Sequence, residues 1–320
     1  MQNSLSTPVL YLILLLSGLF WAMLGLGYKV ADHHSCRTGS FSRVMFFSAG
    51  VICGVALLVE NTNWGNWRLW ALGIAAGVLF YLVLLLLMPT YRLGPASVVW
   101  IVVNLGILIP IFLSPLFKET LYWFIDPILI GLFVLMLLAF QRGMAQARET
   151  TRAGGMLFLF ALLSVFLANG ILLAAPKWQS IMFHGADRIG YLTISYFAGG
   201  VFTLLIDASK GESLRPTAWE WKAGLLSGMS TAIGMLFFMT AIKLPAAVVF
   251  SINGGISLLG GVALTTIIYR ERLNLMKVVG LALGTLVLLI AVLRAPLAKQ
   301  WHLTSSVTNH GQLSSEKSAQ

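Results

Sequence analysis

The sequence predicts an all-α integral membrane protein of ten transmembrane helices, arranged as two inverted five-helix repeats, and three observations predict it. Composition is the first: 58% of 320 residues are hydrophobic and 10% charged, with mean hydropathy +0.87, whereas a soluble domain carries about a quarter charged residues. The second is a series of apolar runs close to the length of about 20 residues that crosses a bilayer core at a rise of about 1.5 Å each. The third is internal repetition at a spacing near 150 residues.

The runs fall at 9–29, 44–60, 69–88, 96–117, 121–140, 156–175, 189–207, 222–242, 246–269 and 275–294. In hydrocarbon each backbone amide must find its partner within its own segment, which selects helices. The period-two alternation of a membrane barrel is missing. The first run has no Lys or Arg before it and no small-x-small cleavage pattern near its end, so it reads as a retained helix rather than a signal peptide. The expected division is a first repeat over 1–140, a polar linker over 141–155, a second repeat over 156–298 and a disordered polar tail over 299–320.

Cys36 in a loop and Cys53 inside the second run are too far apart for a bridge, and no disulfide framework is expected. The net charge of +10 is scattered over loops and helix ends, without basic runs interleaved with aromatics. Anionic lipid headgroups explain it better than nucleic acid. The expected partners are the lipid bilayer and a small-molecule substrate, with no nucleic acid, no cofactor and no metal, the chain being a monomer or homodimer.

Phe47–Val51 (FSAGV) returns as Phe197–Val201 (FAGGV); Trp70, Gly73 and Gly77 return as Trp221, Gly224 and Gly228; Pro95–Val99 (PASVV) returns as Pro245–Val249 (PAAVV). Lys29 matches Lys177, and Phe117-Lys118-Glu119 matches Tyr269-Arg270-Glu271. The order never breaks. Because five helices per unit is an odd number, the second unit lies upside down relative to the first, and such units meet near the membrane midplane, where a transported solute binds.

Trp21 and Lys29 of the first run, "RLGPASVV" before the fourth, "KLPAAVVFSINGG" before the ninth and "YRERLNLMKVVGLALGTLVLLIAV" at the end together resemble the ten-helix EamA-like members of the drug/metabolite transporter superfamily. The resemblance covers nearly the whole chain and is best over its last fifty membrane residues. The link "ENTNWGNWR" departs from it, lacking the basic character such proteins often show there. The resemblance implies cytoplasmic termini, while Lys and Arg concentrate in the loops after odd-numbered runs, which by the positive-inside rule puts the termini outside.

Asn253, beside Gly254 and Gly255, and its near-equivalent Asn104 read either as interhelical hydrogen-bonding glue or as substrate contacts in a central cavity. Asn169 with Gly170 is a weaker case of the same kind. Lys29 and Lys177, at the ends of equivalent runs, read as headgroup anchors or as ammonium groups directed into a vestibule. Trp21 and Trp100 lie deep enough to line a cavity; Tyr28, Tyr191 and Tyr196 are further candidates for its wall, and Trp67, Trp70, Trp123, Trp219 and Trp221 read as an interfacial belt. The glycine pairs spaced by four, such as Gly73/Gly77, Gly224/Gly228, Gly50/Gly54 and Gly280/Gly284, read as packing seams.

Glu60, Glu119, Asp126, Asp207 and Glu271 fall at or near run ends, which argues against proton coupling through a mid-membrane carboxylate. His33, His34 and Cys36 supply too few converging ligands for a metal, and no nucleophile, base and orienting partner stand together around His184 and Asp187, so an enzyme is not expected. The expected substrate-binding set is Trp21, Lys29, Trp100, Asn104, Lys177 and Asn253. They would serve a secondary transporter that exports a small polar or amphipathic metabolite by alternating access, in a multi-pass cell membrane setting such as the bacterial inner membrane. The alternatives are a flippase-like carrier of a lipid-linked headgroup and a non-transporting membrane scaffold.

Overall fold

The computed structural model describes residues 7–59, 62–113, 116, 124–146, 155–183, 187–242, 244, 246–269 and 275–300, and no strand occurs among them. The helices are α1 (Thr7–His33), α2 (Thr38–Ala56) with a 3-10 turn at Leu57–Val59, α3 (Trp67–Leu93), α4 (Ala96–Leu105), α5 (Leu108–Phe112), α6 (Ile125–Gln146), α7 (Gly155–Met182), α8 (Arg188–Ser209), α9 (Ala218–Ala241), α10 (Ala246–Tyr269) and α11 (Leu275–Gln300). Six helical segments among the described residues are long and apolar enough to cross a membrane: Pro8–His33, Thr38–Val59, Trp67–Leu93, Met156–Met182, Arg188–Ser209 and Ala218–Ala241. Shorter apolar helical stretches lie at Val98–Phe112 and Val278–Val287. The chain is an all-α, multi-pass membrane protein.

Polar residues start two of these helices. Asn66 accepts from the Arg68 N–H at 3.2 Å ahead of α3, and Thr217 forms a capping box with Glu220 ahead of α9. The fourth run, expected as one helix over 96–117, is broken at Gly106–Ile107. Pro110 has no N–H for the Gly106 carbonyl four residues back, and its ring would clash with that carbonyl in a regular helix. The chain tightens instead: Gly106 N–H donates to Val103 at 3.1 Å and Ile107 N–H to Asn104 at 3.3 Å, both three residues back.

Other ends also moved. α1 continues to His33 and α7 to Met182, so Lys29 and Lys177 lie about a turn inside their helices rather than closing them. α11 reaches Gln300, into the stretch expected as tail; residues 301–320, the linker residues 147–154 and the expected carboxylates Glu60, Glu119 and Glu271 lie outside the described residues, as does Trp123.

The packing joins the two halves of the chain. α1 lies against α9 and α10, α3 against α7 and α8, α2 against α8 and α9, α4 against α7 and α10, and α6 against α11. Small residues let the backbones approach. A methyl group placed on Gly73 would come within 2.7 Å of Ile194, and one on Gly224 within 2.6 Å of Val44. One on Gly77 would strike the Ser195 carbonyl oxygen, and one on Gly228 would come within 2.6 Å of the Met45 carbonyl oxygen.

At one end of the bundle the start of α2 meets the end of α8 and the start of α9. Arg37 donates to Glu220 Oε1 at 2.9 Å and to the carbonyls of Ser213 and Arg215 at 2.9 and 2.8 Å. Hydrogen bonding to Glu220 raises the pKa of the Arg37 guanidinium above its ordinary value, so it stays charged throughout. Arg43 Nη1 meets Asp207 Oδ2 at 2.9 Å, with side-chain exposures of 7% and 4%. At the opposite end Asp187 accepts from the Asn63 N–H at 2.9 Å, and Arg188 donates to the Met239 carbonyl at 2.9 Å.

Candidate functional site

Six helices from both halves of the chain line a cavity of about 90 Å³, enough for several waters or one small solute. Each helix presents one face to it, at the spacing of three, four and seven residues that aligns side chains along a helix. α1 contributes Trp21, Leu24 and Tyr28, and α3 Ala76, Phe80, Val83 and Leu87. From α4 come Trp100, Val103 and Asn104, and from α7 Asn169, Leu172, Leu173 and Pro176. Tyr191, Leu192, Ser195 and Tyr196 of α8, with Thr231 and Met235 of α9, complete the wall.

Trp100 is fixed by its surroundings. Its Nε1–H donates to the Ser257 carbonyl of α10 at 2.9 Å in a buried setting, and its ring is 6.2 Å from Tyr28 at 67°. Tyr28 in turn meets Phe41 at 6.0 Å and Tyr91 at 6.2 Å, forming an aromatic cluster on the side of the cavity nearest the Arg37 end. Trp21 stacks on Phe238 at 5.8 Å, with its Nε1 buried and unpartnered among the described residues. Aromatic pairs at these separations contribute about 0.5–1.5 kcal/mol beyond their area burial, so the wall is rigid as well as apolar.

The polar groups are few and oriented. Asn169 Nδ2 donates to the Val103 carbonyl at 2.8 Å, across from α7 to the break that follows α4, and Asn104 Nδ2 donates to the Trp100 carbonyl at 2.9 Å. Ser195 Oγ donates to the Tyr191 carbonyl at 2.8 Å, and the Tyr196 hydroxyl lies 3.3 Å from Thr231 Oγ1. No Asp, Glu, Lys or Arg is among the described residues lining the cavity.

Of the residues singled out in the sequence, Trp21, Trp100 and Asn104 stand together on this wall, joined by Tyr28, Tyr191, Tyr196 and Asn169. Asn253 is buried at 1% exposure on α10, off the wall, with its Oδ1 unpartnered among the described residues. Lys29 pairs with Asp32 at 3.2 Å and lies 5.7 Å from the Tyr269 ring, outside the cavity, and Lys177 is half-buried on α7, also off the wall. His34 stacks on Trp219 at 3.5 Å, and among the described residues no group of three metal-binding side chains forms. Trp67, Trp70, Trp219 and Trp221 are exposed, as residues at a membrane edge are.

Sequence reasoning missed the α3 face, with Phe80 and Leu87, and missed Pro176. The proline was the available signal, since a proline within an apolar helix frees a carbonyl one turn back.

No curated protein matches the chain with significance. Among solved structures, one crystal structure of a protein covers 91% of this chain and 99% of its own with a TM-score of 0.63 at 16% identity, a likeness of fold. Residues 174–293, which include the α8 and α9 sides of the cavity, match the EamA-like transporter family. That match makes most of the second half of the chain similar to the EamA-like transporter family, and the fold likeness extends over both halves.

Proposed function

We propose that the protein is a ten-span secondary carrier that moves a small solute through this cavity by alternating access between two inverted five-helix units. The observation that carries the reading is a largely apolar cavity with a few polar groups, walled by helices of both halves. Supporting it, the helix contacts are reciprocal. α1 on α9 has its counterpart in α7 on α3, α1 on α10 in α7 on α4, and α2 on α9 in α8 on α3. The glycine contacts exchange in the same way: Gly73 on Ile194 answers Gly224 on Val44, and Gly50 on the Phe197 ring answers Gly200 on the Phe47 ring. Reciprocity of this kind is what a two-fold axis produces, and an odd number of spans per unit turns that axis into the membrane plane.

Trp21, Trp100, Asn104 and Asn169 are the proposed solute contacts. The test is accessibility from each face. Thr231→Cys, in a protein with Cys36 and Cys53 replaced by Ala, is expected to react with a membrane-impermeant maleimide from either side of sealed vesicles. Labelling confined to one side under every condition would remove alternating access.

A further inference from the structure

We propose that the cavity selects an uncharged, flat solute carrying N–H or O–H donors, of the aromatic or heteroaromatic carboxamide class, over anions and cations of the same shape; this rests on reading the cavity as the transport site. The polar groups of the wall are mostly acceptors, with the unpartnered Trp21 Nε1–H as an open donor. Asn104 and Asn169 each commit the amide nitrogen to a backbone carbonyl, at 2.9 and 2.8 Å. A carbonyl only accepts, so both amides are fixed with their oxygens left over. Ser195 donates its hydroxyl proton to Tyr191, leaving its lone pairs. Pro176 supplies no N–H to the Leu172 carbonyl four residues back, and both residues line the cavity. What remains for a guest is a set of acceptors beside the open Trp21 Nε1–H, and a carboxamide, with N–H donors and a carbonyl that accepts, answers both.

Charge and shape follow from the same wall. An anion would gain the Trp21 N–H but otherwise face oxygen lone pairs and the electron-rich faces of Trp21, Tyr28, Trp100 and Tyr196, with no cation among the described lining residues. A cation is attracted by those faces, but without a carboxylate the loss of its hydration outweighs what a ring face returns. A neutral ring with an amide avoids both losses and lies flat against the aromatic wall.

The experiment uses the full-length protein in lipid nanodiscs and three near-isosteric probes: nicotinamide, nicotinate and the 1-methylnicotinamide cation. Nicotinamide and benzamide are expected to raise the melting temperature at concentrations about tenfold below those needed for either charged probe. Cyclohexanecarboxamide, which keeps the amide and loses the flat ring, is expected to bind more weakly. Ser195→Ala and Asn104→Leu are each expected to weaken nicotinamide about tenfold; the first is a small change that keeps the test open should the second fail to fold. A charged probe that binds as tightly as nicotinamide, or a protein that neither neutral amide protects, overturns the proposal. Two-sided maleimide labelling without amide binding would sink this inference and leave the transport reading standing; amide binding with one-sided labelling would do the reverse.

Discussion

Trp100 illustrates how much of the cavity wall depends on residues that never touch a solute. Its indole lies between two glycines: a methyl group on Gly25 of α1 would stand 2.6 Å from Cε2, and one on Gly261 of α10 would strike Nε1. Gly25→Ala is therefore expected to push the ring off the Ser257 carbonyl and to destabilise the protein by about 1–3 kcal/mol, the usual range for overpacking. Gly54 is the control, because nothing lies within 4 Å of where its methyl group would go. Gly54→Ala is expected to be neutral or to stabilise by up to about 1 kcal/mol through helix propensity alone. Thermal unfolding in nanodiscs compares the two, and equal melting temperatures would show that Trp100 is not wedged. The glycine spacing was legible in the sequence as a packing signal. Which aromatic ring each glycine accommodates was not, because that depends on the neighbouring helix and its register.

At the scale of an element, the glycine pair beside Asn253 in the ninth run permits either close packing or a local loosening, and the break appears instead in its counterpart after Asn104. Glycine permits a break without requiring one, and α10 runs unbroken through all four of its glycines. A proline alone does not require one either, since α3 and α7 continue through Pro89 and Pro176. α4 and α5 are separated where the two coincide, with Pro110 four residues after Gly106; the α10 residue at a matching place is Leu259 or Gly260. The consequence reaches the cavity. In a continuous helix the Val103 carbonyl would accept from the Ile107 N–H, but here it takes Gly106 N–H at 3.1 Å and Asn169 Nδ2 at 2.8 Å. Pro110→Ala is expected to join α4 and α5, slow amide hydrogen exchange at Ile107 and Leu108, and displace Asn169 from Val103. Unchanged exchange at those amides would mean that packing against α7, rather than Pro110, holds the break open.

Across the whole molecule the two ends of the bundle share a scaffold and differ in what fastens them. The residue 150 positions after Arg43 is Thr193, and the one 150 before Asp207 is Leu57. Where one end has a buried ion pair at 2.9 Å, the other has a threonine hydroxyl donating within its own helix to Ile189, also at 2.9 Å. Arg37 is matched by Asp187, whose side chain meets only the Asn63 N–H among the described residues, whereas Arg37 grips Glu220 and two loop carbonyls. On the alternating-access reading, the Arg37 end is the harder to open, because separating Arg43 from Asp207 exposes two groups whose burial each depends on the other. Asp207→Asn alone is expected to destabilise by about 3–5 kcal/mol, since it leaves Arg43 buried without its partner. Arg43→Leu with Asp207→Leu removes both charges, recovers most of that loss and frees the end. The double variant is thus expected to raise maleimide labelling of Thr231→Cys from the Arg37 side, relative to the Asp187 side, by about tenfold for each 1.4 kcal/mol of closure removed. A ratio that stays where it was, in a double variant as stable as the parent, would mean that the ion pair fastens the fold and not the end.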